Sequence, residues 1–310
     1  MRWYGLRAAL LAVALCAVPL AVASIWLGLV GAAVVSALLV ALGWISFLHS
    51  ERTVLSAVGA RLVSEVERPD LYKHVGELAR LARLPLPRVY VSPNAQPNIL
   101  TVGYGPRSAA VCCTEGLLRE LTPAELRAVL AHELSHVIRR DVAVSSWSAG
   151  VASLVGLSPV NALLLQIAAP SGREYGADTD GALLTGDPMA MASALRKIDT
   201  GAAASPLLPR GPLAAAGHLM IAHPFPPAGV GRLLCTHPPT GERVRRLEVL
   251  AGQGRVLRGR FGHPTGEVTV AKASAAPRSR PSAKAPGRHI RRQCPASRGS
   301  GGRPGTSACA

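Results

Sequence analysis

The sequence predicts an α+β protein with a membrane-spanning helical hairpin at its N-terminus, and three observations support this prediction. No Asp, Glu, Lys or Arg occurs between Arg7 and Glu51, a run of 43 residues. Short β-prone runs, separated by Pro, Asn and Gly, follow between Arg88 and Cys113, and helical patterns follow them. A composition with 49% hydrophobic and 17% charged residues is also too apolar for a disordered chain.

The uncharged N-terminal run is long enough for two membrane crossings, because about 20 residues span the hydrocarbon core of a bilayer. We predict that residues 1–50 form a membrane anchor of two helices with a tight turn between Leu27 and Gly31. An alternative is a signal peptide cleaved after Ala23, in which case Ser24 to Leu48 remains as a single anchor.

Basic residues on both sides of the apolar run predict its orientation. Arg2 and Arg7 precede the run, and Arg52 and Arg61 follow it. Positive charge is enriched on the cytoplasmic side of membrane proteins, so we expect the chain after Glu51 to be cytoplasmic. Thirty Arg beside four Lys, with abundant Ala, suggest a GC-rich bacterium. The predicted location is therefore the bacterial cell membrane, with a multi-pass anchor.

The positive charge of the chain is concentrated at its C-terminus. Residues 255–310 hold ten Arg, two Lys and one Glu, so they carry +11 of the net charge of +16. This segment is rich in Pro, Gly and Ser without periodicity, which predicts a disordered basic tail. The remaining chain is only mildly basic, so no specific nucleic-acid partner is expected. Residues 51–254 are predicted to form the folded domain.

Local signals predict the elements of that domain. Pro69 interrupts a helical pattern that runs from Ser56 to Leu84, which predicts two short helices. Thr122, Pro123 and Glu125 form a capping box that opens a helix to about Arg139. The further predicted elements are strands at Arg88–Val91, Ile99–Gly103 and Ala109–Cys113, an uncharged segment at Val142–Gly172, and a helix from Asp187-Pro188 through Ile198. Cys112 and Cys113 are expected on opposite faces of a strand, as reduced thiols.

The capped helix contains His132-Glu133-Leu134-Ser135-His136, an HExxH pattern. Two His four residues apart lie one helical turn apart on one face, so both imidazoles can bind one Zn²⁺ while Glu133 reaches a water on the metal. Chance produces this pattern in roughly 1% of chains of this length, so a helix with two edge histidines is the alternative interpretation.

A catalytic zinc site usually needs a third protein ligand. The position six residues after His136 is Val142, and Asp141, five residues on, is turned well away from the His face. Glu174 is the better candidate, because Asp178, one turn later, can accept a hydrogen bond from a ligand histidine. An ordinary solvated helix face explains the Glu174 segment equally well at this point.

Taken in order, the motifs between about Ser92 and Leu247 resemble the M48 zinc metallopeptidases, and within them the bacterial HtpX-type membrane proteases. The motifs that carry the resemblance are Pro97-Asn98-Ile99 with Thr101-Val102-Gly103, Val111 to Thr122, the HELSH sequence with Asp141, Arg173-Glu174-xx-Ala177-Asp178 with Gly181, and Thr236-His237-Pro238-Pro239-Thr240 with Arg243.

The resemblance implies a zincin-type metallopeptidase domain with one Zn²⁺ per chain and Glu174 as its third ligand. It implies that Asn98, His237 and Arg243 position substrate or stabilise the oxyanion. The corresponding set of predicted roles is Glu133 and His237 as catalytic residues, His132, His136 and Glu174 as metal ligands, Asp178 and Asp141 as supports of those ligands, and Asn98 and Arg243 as substrate-positioning residues.

The expected function is zinc-dependent endopeptidase activity on unfolded or damaged membrane proteins, with the polypeptide substrate and the lipid bilayer as partners. An exposed strand near Asn98 to Gly103 is expected to align an extended substrate by main-chain pairing. One alternative is a processing protease dedicated to a single lipidated or signal-bearing substrate. A second is a non-catalytic membrane interaction protein with a chance HExxH, whose tail binds anionic lipid or nucleic acid.

The chain departs from the HtpX-type pattern between its two metal-binding motifs. Proteins of that type generally have two membrane spans there, but only 31 uncharged residues lie between Asp141 and Arg173. Two crossings need about 40 residues. We therefore expect a short helical hairpin, Val142 to Leu157 and Pro159 to Ala169, that lies in the membrane interface or packs on the domain.

Overall fold

A computed structural model describes residues 2–155, 172–226 and 237–260. Its helices are α1 (Arg2–Ala57), α2 (Pro69–Leu81), α3 (Glu115–Glu120), α4 (Pro123–Arg139), α5 (Val142–Val155), α6 (Gly172–Thr185), α7 (Pro188–Ala204), α8 (Gly211–Ala216) and α9 (Thr240–Arg260). Its strands are β1 (Arg61–Leu62), β2 (Arg88–Ser92), β3 (Ile99–Val102) and β4 (Ala110–Thr114), and a 3₁₀ turn spans Gly217–Leu219. The fold is mixed and mostly helical.

The long helix α1 contains the uncharged N-terminal run. Within the described residues, its segment Pro19–Ala57 is the one stretch long and apolar enough to cross a membrane, with a mean hydropathy of 2.5. Gly28 interrupts the helix with φ 66° and ψ −164°, values that only glycine adopts readily. This break lies inside the segment where the sequence predicts a turn.

The C-terminal end of α1 belongs to the core of the folded domain. The predicted boundary after residue 50 is not an element boundary, because the helix continues to Ala57. Val54 and Leu55 are buried in a cluster with Leu100 and Cys112 of the sheet. Apolar residues that follow the charged pair after the membrane run thus join the anchor directly to the domain.

A four-stranded sheet in the order β1-β2-β4-β3 forms one side of the domain. The three predicted strands are confirmed, with β2 and β4 parallel and β3 antiparallel to β4. Cys113 packs in the main core and Cys112 in the cluster with α1, so their predicted projection to opposite faces is confirmed. Instead of a helix before Pro69, Arg61 and Leu62 pair with β2, because Gly59 (φ 65°) ends the helical segment.

Helix α4 crosses the main core, and its predicted capping box is confirmed. The Thr122 hydroxyl accepts the Glu125 N–H at 3.4 Å, and the Glu125 carboxylate accepts the Thr122 N–H at 2.8 Å. The same carboxylate accepts hydrogen bonds from the Ser193 hydroxyl at 2.6 Å and the Lys197 ammonium at 2.8 Å, both on α7. One side chain therefore caps α4 and ties it to α7.

Strand β3 is at the edge of the sheet, but it is not the exposed strand that the sequence predicts. All four of its residues are buried. The Ile221 N–H donates to the Ile99 carbonyl at 3.1 Å, and Leu100 forms an antiparallel bridge with Met220. The segment after the 3₁₀ turn therefore occupies the edge that was expected to receive substrate.

Helix α5 begins the uncharged segment and packs against α1. Gly150 is essential to the contact, because a Cβ there would lie 2.8 Å from Ser50 Cβ and 2.9 Å from the Ser46 carbonyl. The Trp147 ring N–H donates to the Gly43 carbonyl at 3.4 Å. The predicted first helix is thus present and packs on the anchor, and its predicted partner, Pro159 to Ala169, lies outside the described residues.

The C-terminal helix α9 extends beyond the predicted domain end. It runs to Arg260, so residues 255–260 are helical although the sequence analysis assigns them to the disordered tail. The composition of the tail predicts disorder there, but no proline occurs between Thr240 and Arg260, and the glycines at positions 252, 254 and 259 weaken a helix less than proline does. Residues 261–310 of the predicted tail lie outside the described residues.

Candidate metal centre

The HExxH pattern lies in the last three turns of α4, where the helix crosses the core. His132 and Glu133 are buried, and His136 is slightly exposed. The two imidazoles face each other with 3.3 Å between their Nε2 atoms. The helical repeat therefore brings both ring nitrogens to one point, as the spacing predicts.

Glu174 of α6 faces the same point. Its carboxylate oxygens lie 3.5 Å from His132 Nε2 and 3.7 Å from His136 Nε2. One donor atom from each of the three residues lies within 4.8 Å of the others. Zinc–nitrogen bonds of about 2.0–2.1 Å at a tetrahedral angle place two nitrogens about 3.3–3.4 Å apart. The donor set and its spacing therefore fit a zinc ion.

Asp178, one turn after Glu174, lies behind His132. Its Oδ1 is 2.9 Å from His132 Nδ1, so it can accept that N–H and leave Nε2 directed at the metal position. Burial disfavours a charged His132, but hydrogen bonds to Asp178 and Glu174 outweigh burial and raise its pKa to about 9. The neutral form of the ring is the one that binds a metal.

Arg243 of α9 compensates the buried charge of Asp178. Its Nε and Nη2 donate to the two oxygens of Asp178 at 2.8 and 2.7 Å, and Nη1 donates to the Ile221 carbonyl at 2.8 Å. Burial raises the pKa of Asp178, but the Arg243 charge and hydrogen bonds lower it to about 2. Arg243 is itself fully buried. It therefore supports Asp178, and its role as a substrate-positioning residue stays a prediction.

Asp141 lies behind His136 as Asp178 lies behind His132. Its Oδ1 lies 3.1 Å from His136 Nδ1. The sequence predicts that Asp141 is turned away from the His face, but α4 ends at Arg139, and Arg140 has φ 58°. This left-handed residue turns the chain back, so Asp141 reaches the ring from beyond the helix end.

Close packing of α6 on α4 brings the carboxylates of Glu174 and Asp178 to the histidines. Gly181 lies against the backbone of His132, where a Cβ would be 2.8 Å from the His132 nitrogen and 3.0 Å from its Cα. Any larger residue would push the helices apart. A glycine in the third-ligand motif thus fixes the distance between the two halves of the site.

The three candidate ligands line a small cavity of about 20 Å³, which is room for about one water molecule. Glu133 and His237 line the same cavity. His237 Nδ1 lies 3.5 Å from a Glu174 carboxylate oxygen. Both predicted catalytic residues are therefore adjacent to the candidate ligands.

Asn98, predicted to position substrate, is not among the described residues that line the metal cavity. Its side-chain amide donates to the Ala222 carbonyl at 3.0 Å, and its side-chain oxygen accepts the Ile99 N–H at 3.1 Å. It is buried, and it holds the segment that covers the edge of β3. Its contacts are therefore with the chain itself, not with the cavity.

Arg173, His218 and Thr101 also line the cavity, although the sequence assigned them no role in the site. Arg173 contacts Glu174 at 3.4 Å and Ser145 at 2.5 Å, and its place beside Glu174 in the motif could have identified it. His218 bonds the Ala215 carbonyl at 2.6 Å, and burial lowers its pKa to about 4. Among the described residues, none hydrogen-bonds the buried Thr101 hydroxyl. No sequence pattern marks the last two.

Comparison with known families gives a match over most of the domain. The model of the peptidase family M48 matches residues 65–251. The matched region contains every residue of the candidate metal centre and omits α1 and the C-terminal tail.

Individual proteins are similar over a longer stretch. A protein named protease HtpX homolog from Kineococcus radiotolerans is 42% identical over 243 residues, covering 68% of this chain and 83% of the relative. A protein of the same name from Arthrobacter sp. strain FB24 is 43% identical over 233 residues, covering 66% and 81%. A third, from Burkholderia thailandensis, is 38% identical over 250 residues, covering 71% and 88%.

Proposed function

The chain belongs to peptidase family M48 and is a membrane-associated metalloendopeptidase, and from this premise we propose that it cleaves unfolded or damaged membrane proteins. We propose that His132, His136 and Glu174 hold one zinc ion per chain. The observation that supports this assignment is the convergence of their three donor atoms at distances that fit zinc.

When bound, zinc would lower the pKa of a water molecule to near neutrality and polarise the substrate carbonyl. Asp178 and Asp141 orient the two histidines by accepting their Nδ1–H groups. This leaves both Nε2 atoms free to bind the metal, and the carboxylates raise the basicity of the rings.

Glu133 is the proposed general base. It lines the metal cavity and follows His132 directly in the helix, which is the position from which a carboxylate reaches the attacking water. Glu133 accepts the proton of that water as it attacks the carbonyl carbon, and then delivers the proton to the leaving amine.

His237 is the proposed donor to the carbonyl oxygen. It lies on the cavity wall next to Glu174 and comes from a different segment than the metal-binding helices. A donor already in place where negative charge develops stabilises the transition state without reorganisation. Asn98 and Arg243 act indirectly in this proposal, by fixing the chain around Ile221 and Ala222.

The membrane topology is part of the proposal. We propose that α1 crosses the bacterial cell membrane twice, as a hairpin with its turn at Gly28, and that the peptidase domain is cytoplasmic. The break at Gly28 and the basic residues on both flanks of the apolar run support this arrangement. Its partners are then the lipid bilayer and polypeptide substrates.

Replacement of Glu133 by Gln tests the function. The full chain, purified in detergent with zinc, should cleave casein, and Glu133→Gln should reduce this activity at least about 10²-fold because the proton acceptor is lost. Zinc content should be unchanged. Glu248→Gln is the matched control, since Glu248 lies on the surface in an ion pair with Arg196, and it should retain full activity.

Replacement of Glu174 by Ala tests the metal site. A three-ligand site becomes a two-ligand site, so zinc per chain should fall in metal analysis. Unchanged zinc content would exclude Glu174 as a ligand, and retained casein cleavage by Glu133→Gln would exclude the proposed mechanism. Cleavage of a single membrane-fraction protein, with casein intact, would indicate a dedicated processing protease.

A further inference from the structure

We propose that a recess beside the metal cavity binds an apolar or aromatic side chain of the substrate, from a residue that flanks the scissile bond. The recess is formed by the C-terminal end of α7, the segment from Ile221 to Pro226, and the chain from His237 into α9. The inference rests on the proposed peptidase function and adds a cut-site preference to it.

The position of the recess connects it to the site of reaction. His237 and Ile221 line both the recess and the metal cavity. Because His237 Nδ1 lies 3.5 Å from Glu174, one wall of the recess lies beside a candidate metal ligand. A substrate whose carbonyl reaches the metal position therefore brings an adjacent side chain to the recess.

The size of the recess suits a large side chain. Its volume is about 230 Å³, against about 20 Å³ for the metal cavity. A protein cavity of about 150 Å³ lined by apolar groups holds a benzene molecule. The recess therefore has room for a phenylalanine or leucine side chain, and the metal cavity does not.

The walls of the recess are mainly apolar. Ala202 and Ala203 contribute from α7, Phe225 and Pro226 from the opposite segment, and Pro238 from the chain before α9. The Phe225 ring packs edge-to-face on His223 with 5.4 Å between ring centroids, which fixes its orientation. Such walls gain most from burying an apolar substrate group.

Asp199 and Arg243, the Asp and Arg among the described residues that line the recess, are engaged by other parts of the chain. The Arg243 guanidinium donates to both Asp178 oxygens. The Asp199 carboxylate accepts a hydrogen bond from Thr240 and lies near the charge of Arg243, while burial raises its pKa. A charged substrate side chain would lose hydration in the recess without a matching gain.

Two neighbouring alanines provide the experiment. Ala203 lines the recess and is exposed at its mouth, whereas Ala204, the next residue, is exposed but does not line it. Ala203→Leu should partly fill the recess, and Ala204→Leu is the matched control. Cleavage of a peptide library by each zinc-loaded full-length protein, read by mass spectrometry, gives the residues on both sides of every cut.

The wild-type chain should favour Phe, Leu or Met at one flanking position. Ala203→Leu should lower the kcat/KM ratio for Phe against Ala at that position about tenfold or more, with unchanged zinc content, and Ala204→Leu should match wild type. Asp199→Asn should leave the preference unchanged, because Asp199 does not bind the substrate side chain.

Three outcomes would overturn the inference while the peptidase function stands: library cleavage with no flanking preference, an unchanged ratio in Ala203→Leu, or a preference for Lys and Arg that Asp199→Asn abolishes. Failure of the peptidase function itself gives a different result, since the wild-type chain would then cleave neither the library nor casein.

Discussion

Asp178 joins a candidate metal ligand to a fully buried arginine. One of its oxygens lies 2.9 Å from His132 Nδ1, and both oxygens accept hydrogen bonds from Arg243. A buried carboxylate is costly unless both oxygens are paired, and here Arg243 pairs with both. The orientation of His132 therefore depends on a residue 65 positions away from Asp178 in the chain.

Asp178→Asn tests this dependence. The change keeps the size of the side chain but leaves the Arg243 charge buried without its partner, so we expect a loss of about 3–5 kcal/mol in unfolding free energy. Zinc affinity should fall about 10- to 100-fold. Urea unfolding and competition with a zinc chelator measure the two effects.

Asp180→Asn is the control for that experiment. Asp180 lies on the same helix and pairs with Arg139 at 2.6 Å, but both side chains are about one-third exposed. Surface ion pairs contribute about 0–1 kcal/mol, so this variant should retain zinc affinity and nearly all its stability. Equal effects of the two substitutions would contradict the role given to Asp178.

Gly181→Ala should separate the two helices of the metal centre. The new Cβ would lie 2.8 Å from the His132 backbone nitrogen, which cannot move aside as a flexible side chain can. We expect a loss of about 1–3 kcal/mol in stability and weaker zinc binding. Gly172→Ala on the same helix meets no atom within 4 Å, and it should bind zinc as the wild type does.

Helices α4 and α7 are linked through the carboxylate of Glu125. Burial raises the pKa of Glu125, but hydrogen bonds from Lys197, Ser193 and Thr122 outweigh burial and lower it to about 2 from 4.5. A group whose pKa is lowered on folding stabilises the protein above its unfolded pKa. That stabilisation is lost as the pH falls from about 4.5 to about 2.

The pH dependence of unfolding tests this link between helices. Wild type should lose stability between pH 4.5 and 2 more steeply than Glu125→Gln, which has no charge to lose. At neutral pH the variant should be less stable by about 1 kcal/mol or more, because the capping box is weakened. Parallel stability curves for the two proteins over that pH range would show that Glu125 does not couple the helices.

Elements with local signals were predictable, and those made by distant pairing were not. The capping box and the three strands follow from neighbouring residues. Strand β1 and the Met220 bridge to β3 depend on partners far along the chain, so no local pattern reveals them. The same holds in the site. The HExxH spacing predicts that two imidazoles meet at one point, but only the packing of α9 shows that Arg243 pairs with Asp178.

The orientation of the whole molecule in the membrane is testable with two single cysteines. Ser64 is exposed shortly after β1, and Thr185 ends α6, after the uncharged segment. In a background without native Cys, Ser64→Cys and Thr185→Cys should both resist a membrane-impermeant thiol reagent in intact cells and react after lysis. Labelling of Thr185→Cys alone would place Glu174 across the membrane from His132.

The direct connection of α1 to the domain fixes the distance between the apolar run and the peptidase domain. Val54 and Leu55 are buried in the domain seven residues or fewer beyond Leu48, where the apolar run ends. At 1.5 Å per helical residue, this is a rise of about 10 Å. Gly150 clamps α5 against the same helix, and Glu51 pairs with Arg88 at 2.7 Å. The described residues contain no flexible linker at this joint. In the proposed topology, the peptidase site therefore lies at a fixed distance from the membrane, and we expect polypeptides to be cut near the membrane surface.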